Sequence, residues 1–351
     1  MKILSKYEQI HSFLMKEIEK KTIGELLPCE TELSGKFSVN RMTVAKVMSA
    51  LKSQGYIARK QGRGSTIVRK PVKEIPGIIS VLPAPKESIN SPYFTTLIQT
   101  VSNECINHDF INICTGCREA GPHTSFDYSM LNSLAGSGRY KGAVVIDTKT
   151  FHLEEWKEKF LYPEFPVVWC AMAPEYAPGF NCVNIDNKTA SMRLMEIIKA
   201  KGFRKIAFLS SMIDTVHRRE RFAGYKEAVG NFDEKHVFMI DDESTRTSGF
   251  RAAEVLAGMK ELPDALFIAE PAVMEGVREF SEKSGFDKLL HMPIVTFDYE
   301  KDDTFTNVIA AVKQPFAEMA KEAFKMVVDI AENRLKQPAA KILQPEITIL
   351  T

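Results

Sequence analysis

The chain has 351 residues, of which 44% are hydrophobic and 26% are charged, and its formal net charge is +1. Domains hold roughly 100 to 200 residues, so this length predicts two or three of them. Charged residues run through the first 21 positions, which excludes a secretory signal, and no run reaches the roughly 18 apolar residues of a membrane span. A cytoplasmic protein with reduced cysteines is therefore expected.

The charge is unevenly distributed along the chain. Residues 1–70 carry 14 Lys and Arg against 6 Asp and Glu, a balance of +8. The remaining residues carry 32 against 39, a balance of −7. A basic segment beside an acidic remainder favours a polyanionic partner for that segment alone.

The first seventy residues have the hydrophobic pattern of three helices followed by a hairpin. The apolar positions at helical spacing are Ile10, Phe13, Leu14 and Ile18, then Leu33 and Phe37, then Val44, Val47, Met48 and Leu51. Gly24 and Gly55 lie where the first and third helices would end. Residues 56–59 and 65–68 alternate like two short strands, with QGRG as the turn between them. This order predicts an N-terminal winged helix-turn-helix domain over residues 1–70.

A linker over residues 71–77 and an α/β domain over residues 78–351 are predicted next. Ten short apolar runs, among them GAVVID and KIAFLS, alternate with helical patterns. Alternating strands and helices form mostly parallel sheets with helices on their faces. Because ten strands exceed one comfortable sheet, we expect two α/β lobes.

The exposed start of the third helix and the hairpin tip carry polar and flexible residues suited to DNA. In helix-turn-helix proteins the first residues of the recognition helix enter the major groove, where Arg favours guanine. Glycines allow a wing tip to bend close to the DNA backbone. The candidate DNA contacts are Asn40, Arg41, Thr43 and Lys46 on the helix and Gln61, Gly62, Arg63 and Gly64 on the hairpin.

Residues 5–69 resemble the DNA-binding domain of the GntR family of bacterial transcription factors. LPCETEL is similar to the family's LPSExEL, VNRMTV to its VSRxTV, and QGRGS to its HGxGT-like wing. The resemblance implies that Glu30, Arg41, Thr43, Gln61 and Gly62 lie at the DNA surface, with Arg41 contacting a base.

Two positions depart from that family pattern. Cys29 replaces a Ser that would cap the second helix, which predicts a weaker helix start. Ala45 stands where many members carry Arg. It is therefore open which side chain contacts a base here, and Lys46 is the alternative.

From Gly77 onward the chain resembles the sensor domains of LacI/GalR-type regulators, which are relatives of periplasmic sugar-binding proteins. SPYFTTLIQTVSNECINHDF, KGFRKIAFLS, ERFAGYKEAV and PIVTFD are similar to the landmarks NPFFxxLxxGIExxAxxxGY, GHRRIAFI, ERxxGFxxAL and ISVVGFDD, in the same order. A GntR-type reader in front of such a sensor resembles the arabinose repressors of the AraR type.

The same resemblance implies an effector site between the two lobes. Charged side chains make strong hydrogen bonds to sugar hydroxyls. By resemblance, Arg221 and Asp298 contact the effector from the second lobe, and Tyr93 and Phe94 form the apolar wall of the first. Glu270 takes the place of the family's Asn or Asp, and this difference leaves the identity of the ligand open.

Structural roles are the alternative for these residues. Arg221 and Asp298 could form a salt bridge, and Tyr93 and Phe94 could be core aromatics. Asp186 lies near an expected lobe crossover and is interpreted as a hinge residue. Trp169 could stack on a sugar, but a Trp on a buried strand is more often a core residue.

No metal, cofactor or catalytic site is predicted. Cys114 and Cys117 form a lone CxxC, which is a weak signal without a second pair. Phosphate-binding loops, HExxH helices and GxSxG elbows are missing from the sequence.

The sequence thus predicts a homodimeric repressor of carbohydrate-utilisation genes that a small sugar, a monosaccharide, releases from double-stranded operator DNA. The alternatives are an activator, a sensor of a non-sugar molecule such as a purine, and a solute-binding transport component.

Overall fold

The computed structural model describes residues 5–60, 64–71, 75–82, 91–120, 123–212, 215–242, 244–299 and 304–350. The chain divides into two compact units, Met1–Glu74 and Ile75–Thr351. Within the described residues, no helix is both long enough and apolar enough to cross a bilayer.

The first unit is a three-helix bundle with a β-hairpin, as predicted. Its elements are α1 (Lys6–Lys20), α2 (Glu30–Phe37), α3 (Arg41–Ser53), β1 (Ile57–Lys60) and β2 (Gly64–Ile67). The two strands are antiparallel, with Ile57 opposite Ile67. The predicted winged helix-turn-helix architecture is therefore confirmed.

The helices of this unit pack through the faces that the sequence pattern indicates. Ser5 and Glu8 form a reciprocal capping box at the start of α1. Phe13 and Phe37 are half-buried and meet edge to face at a centroid distance of 5.5 Å. The buried hydrophobic residues are Ile10, Leu14, Ile18, Leu27, Leu33, Val44, Val47, Met48, Leu51, Ile57 and Ile67.

The second unit alternates strands and helices. Its helices are α4 (Pro92–Asn107), α5 (Tyr128–Gly136), α6 (Phe151–Lys159), α7 (Asn187–Ala200), α8 (Val216–Val229), α9 (Thr245–Ala257), α10 (Pro271–Ser284) and α11 (Phe316–Ala331). Its strands are β3 (Gly77–Val81), β4 (Ile111–Thr115), β5 (Cys117–Ala120), β6 (His123–Phe126), β7 (Tyr140–Ile146), β8 (Val167–Cys170), β9 (Asn181–Ile185), β10 (Ile206–Ser211), β11 (Val237–Ile240), β12 (Ala265–Ile268), β13 (Ile294–Phe297), β14 (Val308–Lys313), β15 (Ala340–Leu343) and β16 (Glu346–Ile349).

Two six-stranded sheets divide this unit into two lobes. The first lobe has the strand order β15-β9-β8-β7-β3-β4, entirely parallel, with α4, α5, α6 and α11 packed on it. The second lobe has the order β11-β10-β12-β13-β14-β16, in which only β16 is antiparallel, with α7 to α10 around it. The prediction of two α/β lobes is confirmed.

The chain passes between the lobes three times. These crossovers connect β9 to α7, β14 to α11, and β15 to β16. At the first, Asp186 caps α7 by accepting a hydrogen bond from the Thr189 N–H at 3.0 Å. Gln344, at the third, donates to the Asp186 carboxylate at 3.2 Å. Asp186 therefore ties two hinge segments together.

We expect Asp186→Ala to lower the free energy of unfolding of this unit by about 1 kcal/mol, because the variant removes a helix cap. Urea unfolding followed by tryptophan fluorescence measures this directly, since both tryptophans, Trp156 and Trp169, belong to the second unit. Glu196→Ala, at an exposed position of α7, is the control and should change stability by less than about 0.5 kcal/mol. Equal effects of the two variants would show that the cap is unimportant.

Candidate DNA-binding surface and effector site

The start of α3 presents polar residues to solvent. Arg41 and Lys46 are exposed and Thr43 is half-buried. Asn40 is the N-cap of α3, and its side-chain oxygen accepts from the Met42 N–H at 3.0 Å. Asn40 therefore has a structural role at this surface, because it satisfies a backbone donor that the helix itself leaves unpaired.

The hairpin is tied to the second helix by an ion pair. Glu30, the first residue of α2, pairs with Arg59 on β1. Gly64 has a φ of +82°, a conformation that favours glycine. The other three hairpin candidates, Gln61, Gly62 and Arg63, lie outside the described residues. Glu30 thus positions the base of the hairpin.

Although Cys29 replaces the family's Ser at the start of α2, one of the two hydrogen bonds of a capping box is present there. Cys29 is the N-cap of α2, and its backbone N–H donates to Glu32 Oε2 at 2.8 Å. This reciprocal bond from the third helical position supports the helix start where the family carries Ser.

Arg221 lies at the centre of the second-lobe wall. It is 3% exposed, and it donates to Asn187 Oδ1 at 3.1 Å and to the Ala269 carbonyl at 2.6 Å. Its guanidinium stacks on the Phe297 ring, 3.8 Å from the centroid. Burial lowers the pKa of Arg221, and the neighbouring carboxylates, above all that of Asp298, act in the opposite direction. The guanidinium is thus fixed in orientation.

Asp298 follows β13 with a φ of +49°. Its Oδ1 accepts from the Gln314 N–H at 3.0 Å, and its Oδ2 from the Gln314 side chain. Burial raises the pKa of Asp298, while the Arg221 charge lowers it. Gln314 lies at the β14 crossover, so the carboxylate also anchors a hinge segment.

Glu270 is engaged by an arginine that sequence reasoning missed. Arg218 Nε donates to Glu270 Oε1 at 2.5 Å, and Arg218 Nη2 donates to Oε2 at 3.0 Å. Arg218 lies three residues before Arg221 on α8, which places both on one helix face. That three-residue spacing from Arg221 was the sequence signal from which Arg218 could have been predicted.

We use the name polar strip for four charged residues of the second lobe. They lie at the carboxyl ends of its strands or on α8 beside them, and they are Arg218, Glu270, Arg221 and Asp298.

Tyr93 and Phe94 lie at the start of α4 in the first lobe. The Tyr93 ring packs edge to face on Phe94 at 4.8 Å and on Phe316 at 5.1 Å. Its buried hydroxyl has no hydrogen-bond partner among the described residues. Burial raises the pKa of Tyr93 well above its usual value, and the charge of Arg221 lowers it. Tyr93 thus belongs to an aromatic group of the first lobe, and its buried hydroxyl is left without a partner by the described residues.

A carboxylate that sequence reasoning missed lies at the end of β7. Asp147 accepts from the backbone N–H groups of Thr148 and Lys149 at 2.7 and 3.0 Å and pairs with His152 Nδ1 at 2.6 Å. The Val216 N–H of α8 donates to the Thr148 carbonyl at 2.8 Å. The two lobes are therefore in contact beside Asp147.

A buried hydrogen-bond network also connects the lobes. Asn184 of β9 donates to both oxygens of Glu220 at 3.1 and 3.2 Å, and Asn187 donates to Oε2 at 3.0 Å. Asn187 in turn accepts from Arg221. Burial raises the pKa of Glu220 to about 7, against the opposing effect of the two amide donors.

Trp169 and the two cysteines of the CxxC were the remaining candidate functional residues. Trp169 is fully buried and packs edge to face on Trp156 at 5.5 Å, so it belongs to the first-lobe core. Cys114 is exposed, and the Cys117 side chain lies outside the described part of the chain. Across the described residues, no three His, Cys, Asp or Glu side chains are grouped to hold a metal.

Two family descriptions match parts of the chain, one in each unit. Residues 6–67 match the bacterial regulatory proteins of the gntR family. Residues 196–349 match the periplasmic binding protein-like domain. The chain joins a GntR-type helix-turn-helix domain to a periplasmic-binding-protein-like domain. It is a DNA-binding transcription regulator whose second domain is periplasmic-binding-protein-like.

Individual relatives are similar to this chain over different shares of its length. The HTH-type transcriptional repressor MelR of Bacillus subtilis (strain 168) is 20% identical over 333 residues, which cover 92% of this chain and 90% of MelR. Catabolite control protein A of Priestia megaterium is 24% identical over 180 residues, or 50% of this chain and 53% of that protein. Among solved structures, a complex of the transcriptional regulator CelR with cellobiose has a TM-score of 0.64 at 18% identity, covering 92% of this chain and 99% of that one.

The Glu220 network predicts a pH-dependent stability. A carboxyl group whose pKa is raised on folding contributes stability that is complete below its ordinary pKa of 4.5 and is lost as pH rises through about 7. Between pH 4.5 and 7.5 we expect the wild type to lose on the order of 3 kcal/mol more stability than Glu220→Gln. Urea unfolding across this pH range, followed by tryptophan fluorescence, measures the difference.

Glu227→Gln is the matched control for Glu220→Gln. Glu227 lies on the same helix but is exposed and pairs with Lys188 at the surface. This variant should keep the pH profile of the wild type. If Glu220→Gln also keeps that profile, the carboxyl group does not titrate in this range.

Proposed function

We propose that this chain is a homodimeric, cytoplasmic repressor that a small uncharged sugar releases from operator DNA. The names of its relatives support this proposal, because MelR is a repressor and the CelR neighbour was solved with cellobiose. No catalytic activity and no cofactor are part of the proposal.

One observation carries the sugar assignment: the buried Tyr93 hydroxyl has no hydrogen-bond partner among the described residues. A buried hydroxyl without a partner is costly, and a sugar hydroxyl can both donate to and accept from its neighbours. The polar strip holds two guanidinium groups and two carboxylates, so it carries no net charge when all four groups are ionised. Such a wall suits an uncharged ligand with many hydroxyl groups.

The hinge supplies a route from ligand to DNA. Asp298 is hydrogen-bonded to the β14 crossover through Gln314, so a ligand held by Asp298 acts on a segment that joins the lobes. A ligand that binds one lobe arrangement better than another shifts the population toward it. In a dimer that shift changes the spacing of two DNA-reading domains on a two-fold operator. The coupling is reciprocal, so DNA weakens sugar binding by the same factor.

Tyr93→Phe should separate sugar binding from folding. This variant removes only the unpartnered hydroxyl, so the stability of the free protein should hold or rise. Loss of one hydrogen bond to the sugar should weaken binding about tenfold. Thermal shifts against pentoses, hexoses and disaccharides including cellobiose identify the ligand, and calorimetry then gives the affinity.

Tyr225→Phe is the matched control for the sugar experiment. The Tyr225 hydroxyl donates to the Ile206 carbonyl at 2.7 Å, at the amino end of β10 and therefore away from the ligand edge. This variant should lose about 1 kcal/mol of stability and keep its sugar affinity. If no sugar in the panel raises the melting temperature of the wild type, the proposed effector class is wrong.

Arg41→Ala should weaken binding to an operator selected from random DNA by about tenfold or more, as expected for an arginine that contacts a base. Lys52→Ala is the control because Lys52 is exposed on the same helix about 16 Å further along it. Fluorescence anisotropy at several salt concentrations measures both. Equal losses for the two variants would mean that Arg41 supplies only nonspecific charge.

A further inference from the structure

Helix α3 exposes an apolar residue at its second position, Met42. Met42 is 67% exposed, although methionine is among the residues most often buried. The residues that bury α3 in its bundle are Val44, Val47, Met48 and Leu51. Because successive helical residues are turned by about 100°, Met42 lies opposite the middle of that buried stripe. Its side chain therefore points away from the bundle.

The backbone at Met42 is fixed by the cap of the helix. The Met42 N–H donates to Asn40 Oδ1 at 3.0 Å, and the Thr43 N–H donates to the Asn40 carbonyl at 2.9 Å. In helix-turn-helix proteins the first residues of the recognition helix reach base edges in the major groove. Residues 6–67 match the gntR family, so Met42 is held where sequence readout is expected.

The neighbours of Met42 on the exposed helix face are a small apolar residue and a cation. Residues three and four positions apart on a helix are adjacent, so Ala45 and Lys46 both lie beside Met42. Ala45 is half-buried and Lys46 is exposed. We use the name apolar patch for Met42 and Ala45, which have the exposed cations Arg41 and Lys46 on either side.

Thymine is the base that such a patch distinguishes. It carries a methyl group at C5 in the major groove, and apolar side chains contact that group. The unbranched, flexible Met side chain adapts to the surface it meets. Cations on either side suit the phosphates, whose contacts position a protein on DNA without reading its sequence.

We propose that Met42 is a specificity-determining residue, which contacts the methyl group of a thymine in the operator, with Ala45 completing the apolar surface. The inference rests on the DNA-binding part of the proposed function and deepens it. It also gives a consequence to the absence of the Arg that many GntR-family members carry at position 45. Apolar contact with thymine takes the place of a hydrogen bond to guanine.

Deoxyuridine is the probe, because it pairs as thymidine does and lacks only the methyl group. An operator is selected from random DNA with the full-length wild type, and each of its thymines is then replaced by deoxyuridine in turn. Fluorescence anisotropy measures the affinities. We expect one such replacement in a half-site to weaken wild-type binding about fourfold, the effect of losing one buried methyl group.

Met42→Ala and Met42→Gln are titrated with the same set of operators. Both variants keep the backbone bond to Asn40, and Ala and Gln are good helix formers, so the domain should fold. Their response to the replacement should fall below twofold, because the side chain that contacts the methyl group is missing. Comparing protein and DNA changes in one cycle isolates this contact from any effect of deoxyuridine on the DNA alone.

Ile23→Ala is the matched control. Ile23 is 63% exposed in the same unit but lies after α1 rather than on α3. This variant should keep the full response of the wild type to deoxyuridine. The inference is overturned if no thymine of the operator gives a response in the wild type, or if both Met42 variants keep that response.

A second measurement uses unmodified DNA. Selection from random DNA is repeated with Met42→Gln, and we expect the thymine identified above to lose its enrichment while the other positions keep their preferences. Enrichment of the same thymine in both selections would contradict the role of Met42.

The inference and the proposed function fail in different ways. Operator binding without a methyl response removes the role of Met42 and leaves the repressor function in place. A methyl response that depends on Met42 supports this role even where no sugar releases the operator. If the wild type enriches no DNA sequence at all, the repressor function itself fails, and the role of Met42 fails with it.

Discussion

The sensor domain is organised around one buried cation, the guanidinium of Arg221. A charge removed from water must be compensated by hydrogen bonds and opposite charge, or burying it is prohibitively unfavourable. Here the compensation comes from an amide at the start of α7, a carbonyl at the end of β12 and an aromatic ring at the end of β13. Three segments that are distant in sequence therefore meet at one side chain. The carboxyl edge of the second sheet takes its shape from that requirement.

The same side chain connects the ligand edge with the lobe contact. Asn187 accepts from Arg221 and donates to Glu220, and Glu220 accepts from Asn184 of the first lobe. Glu220 and Arg221 are consecutive residues of α8, and Val216 at the start of that helix bonds to Thr148 of the first lobe. A ligand that shifts Arg221 would therefore act on a helix that already holds the lobes together. This is a contiguous hydrogen-bonded connection between the candidate site and the lobe contact.

The sequence predicts the architecture well because periodicity is local information. Residues 78–82 and 143–146 are short apolar runs, and both became buried parallel strands. Family resemblance also predicts Tyr93, Arg221 and Asp298 as effector contacts, and the structure has Tyr93 in the first lobe and the other two in the second. Asn40, at the start of the recognition helix, stays a predicted DNA contact, and the structure adds that its side-chain oxygen caps that helix. Capping depends on where a helix starts to within one residue, which is the least certain part of sequence interpretation.

Sequence reasoning missed Arg218, Glu220 and Asp147 for a different physical reason. The segment HRRERF is as charged as the exposed face of any surface helix, and nothing in its composition shows that two of its charges are buried. Burial was decided by strand ends that approach from residues 147, 184 and 270, and no local pattern records such contacts. The two functional surfaces differ in this respect. At a DNA surface, exposed charges act largely independently through phosphates and counterions, so a count of basic residues is informative. Inside the sensor domain each buried charge requires a specific partner, as Arg218 and Glu270 show, so a count of charged residues says little there.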